Sequence, residues 1–254
     1  MTIAVIFAGG AGKRMNSVDK PKQFLELYQK PIIIRTLEHF ERHDEIDAIV
    51  VVCIEEGISY LKELLDEYRI QKVIKIVPGG ETGQDSIYKG LVAAKEISSE
   101  HFDEKDGNKS EDTIVLIHDG VRPMINAQLI SDNIESVRQF GSAITTGGVT
   151  ETILETDGNK IVKVPERKDS RVAKAPQSFY LRDILNAHEK AIEEGKHDYI
   201  DSCTLMQHYG YSLNLVDGPA ENIKITTQMD YYLCRAFYEA EEDEQFLRSS
   251  EIKT

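Results

Sequence analysis

Two basic side chains follow a glycine-rich stretch near the amino terminus, and together they could bind a phosphate group. Gly9 and Gly10 directly succeed the apolar run Ile3–Ala8, so backbone N–H groups can approach an anion there. Arg14 lies in the same stretch and Lys22 lies a few residues further on. Two cations that converge on one anion suit phosphoryl or nucleotidyl transfer, because negative charge accumulates in the transition state.

The glycine-rich stretch fits neither of two common nucleotide-binding motifs. A dinucleotide-binding GxGxxG would need glycine at Met15, and a P-loop would need glycine at Phe7 and serine or threonine at Arg14. We therefore interpret it as a phosphate-binding loop that places Arg14 beside the phosphates. A simple glycine turn with solvated basic side chains is the alternative.

An aspartate follows a later apolar run. Asp119 comes just after Thr113–Ile117, where a carboxylate could bind Mg²⁺ between triphosphate oxygens. A turn in which Asp119 pairs with Arg122 is the alternative. We interpret the neighbouring His118 as a structural side chain that a backbone partner fixes.

Two further segments could contribute to the same chemistry. Gly79-Gly80 precedes Asp85 and Ser86, and the Ser86 hydroxyl could read a base edge. Asp85 or Ser86 could equally do no more than cap a helix. Lys224 is a third cation, although taken alone it would be read as a surface lysine.

The composition excludes several classes of protein. Of 254 residues, 30 are basic and 44 acidic, for a net charge of −14, so the basic surface that binds nucleic acid or membranes is absent. No apolar run approaches the ~18 residues of a membrane span, and no signal peptide is apparent. The three cysteines lack metal-type spacing. We expect reduced thiols in a soluble, cytoplasmic protein without nucleic-acid or membrane partners.

Apolar runs rich in β-branched residues alternate with segments of helical period. The predicted strands are Ile3–Ala8, Ala48–Ile54, Lys72–Val77, Thr113–Ile117 and Ser212–Val216, and the predicted helices are about 31–42, 59–68, 86–97, 181–195 and from Gln228. Near-continuous Val and Ile runs between helices indicate a parallel sheet buried on both faces. The fold class is therefore doubly wound α/β, with ligands at the carboxyl ends of the strands.

Three segments depart from this alternation. Residues 98–112 form a polar insertion that we predict to be a surface loop. Residues 143–172 form an arm with a β-hairpin whose tip is Asp157-Gly158, and we expect a second subunit to cover its outer face. We expect a single domain over residues 1–235, and an acidic helix or tail over 236–254.

The motifs taken together resemble those of one enzyme family. In chain order they are Phe7-Ala8-Gly9-Gly10, Arg14-Met15, Pro21-Lys22-Gln23-Phe24-Leu25, Gly79-Gly80 with Asp85-Ser86, His118-Asp119 with Arg122-Pro123, Pro176-Gln177-Ser178-Phe179 and Asn222-Ile223-Lys224-Ile225-Thr226. Over residues 2–235 the series resembles the cytidylyltransferases that make CDP-methylerythritol or CDP-ribitol from CTP and a polyol phosphate. The resemblance implies a Rossmann-like, mostly parallel sheet and a homodimer in which a projecting β-arm crosses to the partner. It also implies Mg²⁺, or another divalent cation, held by Asp119.

The resemblance further implies a role for each matching residue. Arg14 and Lys22 would stabilise the transition state at the α-phosphorus of CTP, and Lys224 would align the acceptor phosphate. Arg167, with Thr152 nearby, would bind the polyol phosphate in the neighbouring subunit's active site. The residues that would hold the cytidine are Ala8, Gly9, Gly10, Gly80, Glu81, Ser86 and Gly120.

Four positions depart from the family pattern, and two of them lie on the acceptor side. Gly83, Glu151, Ala175 and Ile200 stand where arginine, aspartate, threonine, and threonine or serine are usual. The catalytic cations match at every position. The substrate class is therefore better supported than the identity of the acceptor.

Small similarities favour one acceptor over another. The segments Lys22–Leu25, Pro176–Phe179 and Ile225–Thr227 look more like the ribitol branch of the family. We therefore expect D-ribitol 5-phosphate, converted to CDP-ribitol for a cell-surface polysaccharide such as teichoic acid or capsule. The alternative acceptor is 2-C-methyl-D-erythritol 4-phosphate, an intermediate of isoprenoid synthesis.

Two other classes of function compete with this interpretation. A nucleotide-sugar glycosyltransferase of similar build would need a DxD-type metal motif, but His118-Asp119-Gly120 has one aspartate. A non-catalytic nucleotide-binding protein would be consistent with the departures at Gly83, Glu151 and Ala175. Pyrophosphate release that depends on Arg14 or Lys22, with the fold intact, would exclude both.

Overall fold

The computed structural model describes residues 1–9, 20–101 and 112–251, with side chains up to residue 240. The strands are β1 (Thr2–Ala8), β2 (Glu26–Leu27), β3 (Lys30–Pro31), β4 (Ala48–Cys53), β5 (Val73–Pro78), β6 (Ile114–Asp119), β7 (Ser142–Gly148), β8 (Glu155–Asp157), β9 (Lys160–Lys163), β10 (Arg171–Tyr180) and β11 (Leu215–Asp217). The helices are α1 (Ile32–Glu41), α2 (Ile58–Glu67), α3 (Gly83–His101), α4 (Ala127–Phe140), α5 (Leu181–Glu193), α6 (Ser202–His208) and α7 (Gln228–Glu251).

Seven of these strands form one sheet in the order β11-β7-β10-β6-β1-β4-β5. β1 pairs in parallel with β4 and β6, and β4 pairs in parallel with β5. β10 is antiparallel to β6 and β7. The mostly parallel α/β sheet is confirmed, with one antiparallel strand that the sequence analysis did not predict.

Helices cover both faces of the sheet. Ala4 and Ile6 of β1 belong to a core with α1, α2 and α4, whereas Ile3 and Val5 belong to a core with α3, α5 and α6. Successive side chains of a strand point to opposite faces, and all four of these are fully buried. Burial of each larger side chain stabilises the fold by roughly 2 kcal/mol.

Close packing of α3 on the sheet positions the site. A Cβ at Gly90 would lie 2.5 Å from the Val5 side chain and 2.8 Å from that of Val52, so glycine lets the helix approach β1 and β4. Because α3 begins at Gly83, this approach places its first turn at the carboxyl ends of those strands.

The arm is shorter than the predicted 143–172. Ser142–Gly148 is strand β7 of the central sheet, and its first six residues are buried. The projecting hairpin consists of β8 and β9, and the pairing of Asp157 with Lys160 leaves Gly158-Asn159 as a two-residue loop. Gly158 has a φ of 55°, a value that two-residue hairpin loops require and glycine adopts without strain.

Helices extend further than the sequence indicated. The predicted loop at 98–112 begins as helix, because α3 continues to His101, and Ser98 is buried with its hydroxyl 2.7 Å from that of Thr113. The remainder of that insertion, 102–111, lies outside the described residues. The sequence analysis did not predict α4 or α6.

No helix in the described part of the chain is long and apolar enough to cross a membrane.

Candidate active site

A cavity of about 300 Å³ opens at the carboxyl ends of β1 and β6. Of the predicted site residues it is lined by Ala8, Gly9, Lys22, Gly80, Glu81, Ser86, Asp119 and Lys224. The chain thus brings together residues from five separate segments of the sequence. Arg14 and Gly10 lie outside the described residues.

The floor of the cavity is fixed by Gln23, a residue to which the sequence analysis gave no role. Its Nε2 atom donates to the carbonyl of Ala8 over 2.7 Å, and the side chain is fully buried. Gln23 lies in a short 3₁₀ turn, Lys22–Phe24. This bond therefore holds the turn that carries Lys22 against the end of β1.

The second glycine loop is closed by hydrogen bonds to its own side chains. Ser86 Oγ accepts from the Gly80 N–H over 2.9 Å and donates to the carbonyl of Thr82. Thr82 Oγ1 accepts from the Asp85 N–H, and Asp85 Oδ2 accepts from the Glu81 N–H. The side chain that caps the start of α3 is therefore Thr82, and the predicted cap by Asp85 or Ser86 is wrong.

Asp119 is the electrostatic centre of the cavity. Its Oδ2 atom lies 2.7 Å from Arg122 Nε and its Oδ1 atom lies 2.5 Å from Lys224 Nζ. Burial opposes ionisation, but the two cations outweigh it and hold the pKa of the Asp119 carboxyl below its usual value. Asp119 is therefore an anion at neutral pH. It forms the pair with Arg122 that the sequence analysis gave as the alternative, and a second pair with Lys224, a predicted site cation.

Lys22 reaches the segment that carries Lys224. Its Nζ atom donates to the carbonyl of Ile225 over 3.3 Å. That segment is anchored from two further directions, because the Ile225 N–H donates to Val121 and the Asn222 side chain donates to Ala175. Two lysines distant in sequence thus meet at one cavity.

His118 has a structural role in this arrangement. The ring is fully buried, and its Nε2 atom lies 3.3 Å from the carbonyl of Arg122. Burial lowers the pKa of the imidazole to about 3. A neutral ring that bonds the turn after β6 helps to orient Asp119.

Three predicted site residues do not line the cavity. The N–H of Gly120 donates to the carbonyl of Phe7, and a Cβ there would lie 2.6 Å from Ile33 Cδ1. Glycine is therefore required at this position for close packing. Arg167 and Thr152 are exposed on the arm, so within one chain they take no part in the cavity.

The sequence analysis also gave Asn222 no role of its own. Its side chain is fully buried, and its backbone carbonyl accepts from Arg122 over 3.1 Å. The only sequence signal was its place two residues before Lys224. Its partners lie far away along the chain, so nothing in the local pattern could identify them.

Comparison with known proteins shows the family of the chain. The family model described as IspD, 2-C-methyl-D-erythritol 4-phosphate cytidylyltransferase, matches residues 2–240. The chain belongs to the IspD family. It is therefore a nucleotidyltransferase of the cytidylyl-transferring type.

Relatives in the family carry two different names. A ribitol-5-phosphate cytidylyltransferase of Vibrio parahaemolyticus is 52% identical over 246 residues, which cover 96% of this chain and 99% of the relative. One of Streptococcus agalactiae is 50% identical, with coverage of 96% and 98%. A 2-C-methyl-D-erythritol 4-phosphate cytidylyltransferase of Clostridium botulinum is 38% identical, with coverage of 90% and 93%.

A solved structure shares the same architecture. The 4-diphosphocytidyl-2C-methyl-D-erythritol synthase of Anaerococcus prevotii superposes with a TM-score of 0.76 at 26% identity. The match covers 94% of this chain and 98% of that one. The IspD-family chain thus has the Rossmann-like fold that its sequence motifs indicated.

Proposed function

We propose that this chain is a D-ribitol-5-phosphate cytidylyltransferase, which makes CDP-ribitol and pyrophosphate from CTP and ribitol 5-phosphate. The cluster of Lys22, Lys224 and Asp119 at one cavity is the structural observation that carries the reaction type. The choice of acceptor is supported by relatives of that name at 50–52% identity, against 38% for the methylerythritol relative. The product would serve a cell-surface polysaccharide, and the unpaired thiols fit a cytoplasmic location.

The chemistry needs charge neutralisation more than it needs a base. An oxygen of the acceptor phosphate forms a bond to the α-phosphorus of CTP, and the bond from that phosphorus to the bridging oxygen breaks, so that pyrophosphate leaves. The acceptor phosphate is already ionised and gives up no proton that a strong base must remove. Lys22 and Lys224 can hold the two anions together, with Arg14 expected to add a third cation.

Asp119 has the chemistry and the position expected of a Mg²⁺ ligand. Mg²⁺ takes one or two protein carboxylates and fills its remaining positions with water and substrate phosphates, and Asp119 is a buried carboxylate at the wall of the cavity. When bound, the ion would neutralise triphosphate charge. Lys224 is the more exposed of the two cations on Asp119, at 41% against 11% for Arg122, so Lys224 is the partner that can turn from the carboxylate to a phosphate.

We also propose that the enzyme is a homodimer in which the arm covers the partner's active site. The arm exposes a group of large apolar side chains: Leu154, Ile161, Val162 and Val164. Such a patch is typical of a surface that another chain covers. Arg167 and Thr152 lie on the same arm, where they could bind the acceptor phosphate in the second subunit.

The proposed function predicts pyrophosphate release that depends on the acceptor and on Lys22. With CTP and Mg²⁺, we expect release with ribitol 5-phosphate and much less with 2-C-methyl-D-erythritol 4-phosphate. Lys22→Met should lower kcat/KM roughly 100-fold, by analogy with the loss of one oxyanion donor. Lys62→Met on the exposed face of α2 is the matched control and should keep full activity.

Faster pyrophosphate release with 2-C-methyl-D-erythritol 4-phosphate than with ribitol 5-phosphate would make the former the acceptor and leave the mechanism unchanged. Equal turnover by the Lys22→Met protein would contradict the assignment of this cavity as the active site.

A further inference from the structure

The side-chain amide of Gln84 supports the glycine loop Gly80–Ser86 on the side away from the active-site cavity. Its Nε2 atom donates to the carbonyl of Lys196, and its Oε1 atom accepts from the N–H of Tyr199, each over 2.9 Å. The Gln84 residue is 4% exposed, and both bonds are partly buried. One side chain thus joins the first turn of α3 to the irregular segment 196–201 between α5 and α6.

A crevice, rather than packed side chains, lies behind this loop. The crevice measures about 240 Å³, and its walls include Glu81 and Thr82 of the loop and His188 and Ile192 of α5. A Cβ at Gly83 would meet nothing within 4 Å, so no contact at that position steadies the loop. The bonds of Gln84 therefore supply lateral support that apolar packing does not.

The far end of the supporting segment is fixed to the central sheet. Gln177 of β10 donates from Nε2 to Asp201 Oδ2 over 3.0 Å, and its Oε1 atom accepts from the Cys203 N–H over 2.8 Å. Asp201 in turn caps α6 by accepting from the Thr204 N–H. Two buried glutamines therefore connect the glycine loop to β10 through one short segment.

We propose that Gln84 is a positioning residue for CTP. It lines no part of the active-site cavity, but it holds Gly80, Glu81 and Ser86 in the arrangement that receives the nucleotide. Gln177 acts on the same loop through the shared segment. The proposal rests on the proposed function only in taking the cavity as the CTP site, and it does not depend on which polyol phosphate is the acceptor.

The test replaces Gln84 by methionine, which has similar volume but neither hydrogen bond. We expect the Kd of CTP, measured by calorimetry without acceptor, and the KM of CTP to rise roughly 10-fold, since the loop loses both bonds that join it to the segment 196–201. The value of kcat should stay within about twofold, because the lost interaction binds ground state and transition state alike.

The matched control is Gln128→Met. Gln128 is also the second residue of its helix, α4, but it is exposed and bonds to Asp132 of the same helix. This variant should leave the Kd of CTP unchanged.

A double-mutant cycle separates positioning from a merely structural role. Gln177→Met alone should also raise the Kd of CTP, and adding it to Gln84→Met should raise the Kd no further than the larger single effect, because both act through one segment. If the two single effects on the Kd of CTP multiplied in the double variant, the two glutamines would act independently, which would overturn the shared support. A lower melting temperature with an unchanged Kd of CTP at 25 °C would overturn the positioning role.

The same measurements distinguish this inference from the choice of acceptor. Wild-type protein that binds CTP but does not use ribitol 5-phosphate would contradict the proposed acceptor and leave the Gln84 comparison valid. Wild-type protein that does not bind CTP would overturn both.

Discussion

At the scale of residues, the carboxylate of Asp119 determines how the cations of the site are arranged. Both of its oxygens are paired, one with Arg122 and one with Lys224. Arg122 is also tied to the carbonyl of Asn222, so its guanidinium is held in place. In the proposed Mg²⁺ site Lys224 is paired with one oxygen of Asp119, so a divalent cation would have to compete with Lys224 in the absence of CTP.

Removal of Lys224 is therefore expected to strengthen metal binding while it impairs catalysis. Lys224→Met should bind Mn²⁺ roughly fivefold more tightly without CTP, since a partly exposed ion pair is worth at most about 1 kcal/mol. The measurement is the free Mn²⁺ signal in electron paramagnetic resonance. Asp119→Asn is the control and should bind Mn²⁺ more weakly than wild type. Equal Mn²⁺ affinity in wild type and Lys224→Met would refute the competition.

A histidine remote from catalysis should make the fold sensitive to acid. His188 is 1% exposed and stacks on Tyr88, and burial lowers its pKa to about 4 from the usual 6.5. The unfolded chain takes up this proton at higher pH than the folded one, so stability falls as the pH drops from 6.5 towards 4. At pH 5 the loss should be about 2 kcal/mol.

The variant His188→Phe keeps an aromatic ring and removes the proton. Its free energy of unfolding by urea should change less between pH 7.5 and pH 5 than that of wild type. His118 contributes a similar acid sensitivity to both proteins and cancels in the difference. An identical pH dependence in the two proteins would show that His188 is not buried as a neutral ring.

At the scale of elements, the start of α3 combines a helix cap with the glycine loop. Thr82→Ala removes the side-chain acceptor for the Asp85 N–H, which should cost about 1 kcal/mol of stability. Because Thr82 also lines the cavity, the Kd of CTP should rise as well. Asn126→Ala removes the equivalent cap of α4 and should cost similar stability without any change in the Kd of CTP. If the Kd of CTP rose equally in both variants, the effect of Thr82→Ala could not be assigned to the glycine loop.

The elements that the sequence predicted are those with an unambiguous local pattern. The continuous apolar runs of β1 and β4 gave their strands within one residue at each end. β10 was not predicted, because Arg171–Tyr180 contains two basic residues and a proline, and its antiparallel place depends on pairing with β6 and β7. For α4 a signal was present, since Asn126 caps its start and Gly141 ends it with a φ of 84°.

The candidate site was predictable as a set of motifs but not as a network. Short motifs placed Lys22, Asp119 and Lys224 at strand ends or beside them, where an α/β fold collects ligands. The bonds of Gln84 to residues 196 and 199 join segments more than a hundred residues apart. Local pattern carries no information on such partners, so only the folded chain reveals the support.

At the scale of the whole molecule, the exposed arm predicts active sites shared between two subunits. A mixture of inactive Lys22→Met protein and inactive Arg167→Ala protein should recover activity, because each mixed dimer contains one site with both residues intact. With equal amounts and free exchange, about a quarter of the wild-type sites should be restored. Sedimentation should show a dimer in all samples. No recovery despite demonstrated subunit exchange would place Arg167 outside the site.

The most direct test of the central claim is a competition between the two acceptors. CTP, Mg²⁺ and the enzyme are mixed with equal concentrations of ribitol 5-phosphate and 2-C-methyl-D-erythritol 4-phosphate, and the two CDP products are quantified by mass spectrometry during the first turnovers. The product ratio equals the ratio of kcat/KM values. A large excess of CDP-ribitol is the predicted result, and an excess of CDP-methylerythritol would contradict the proposed function.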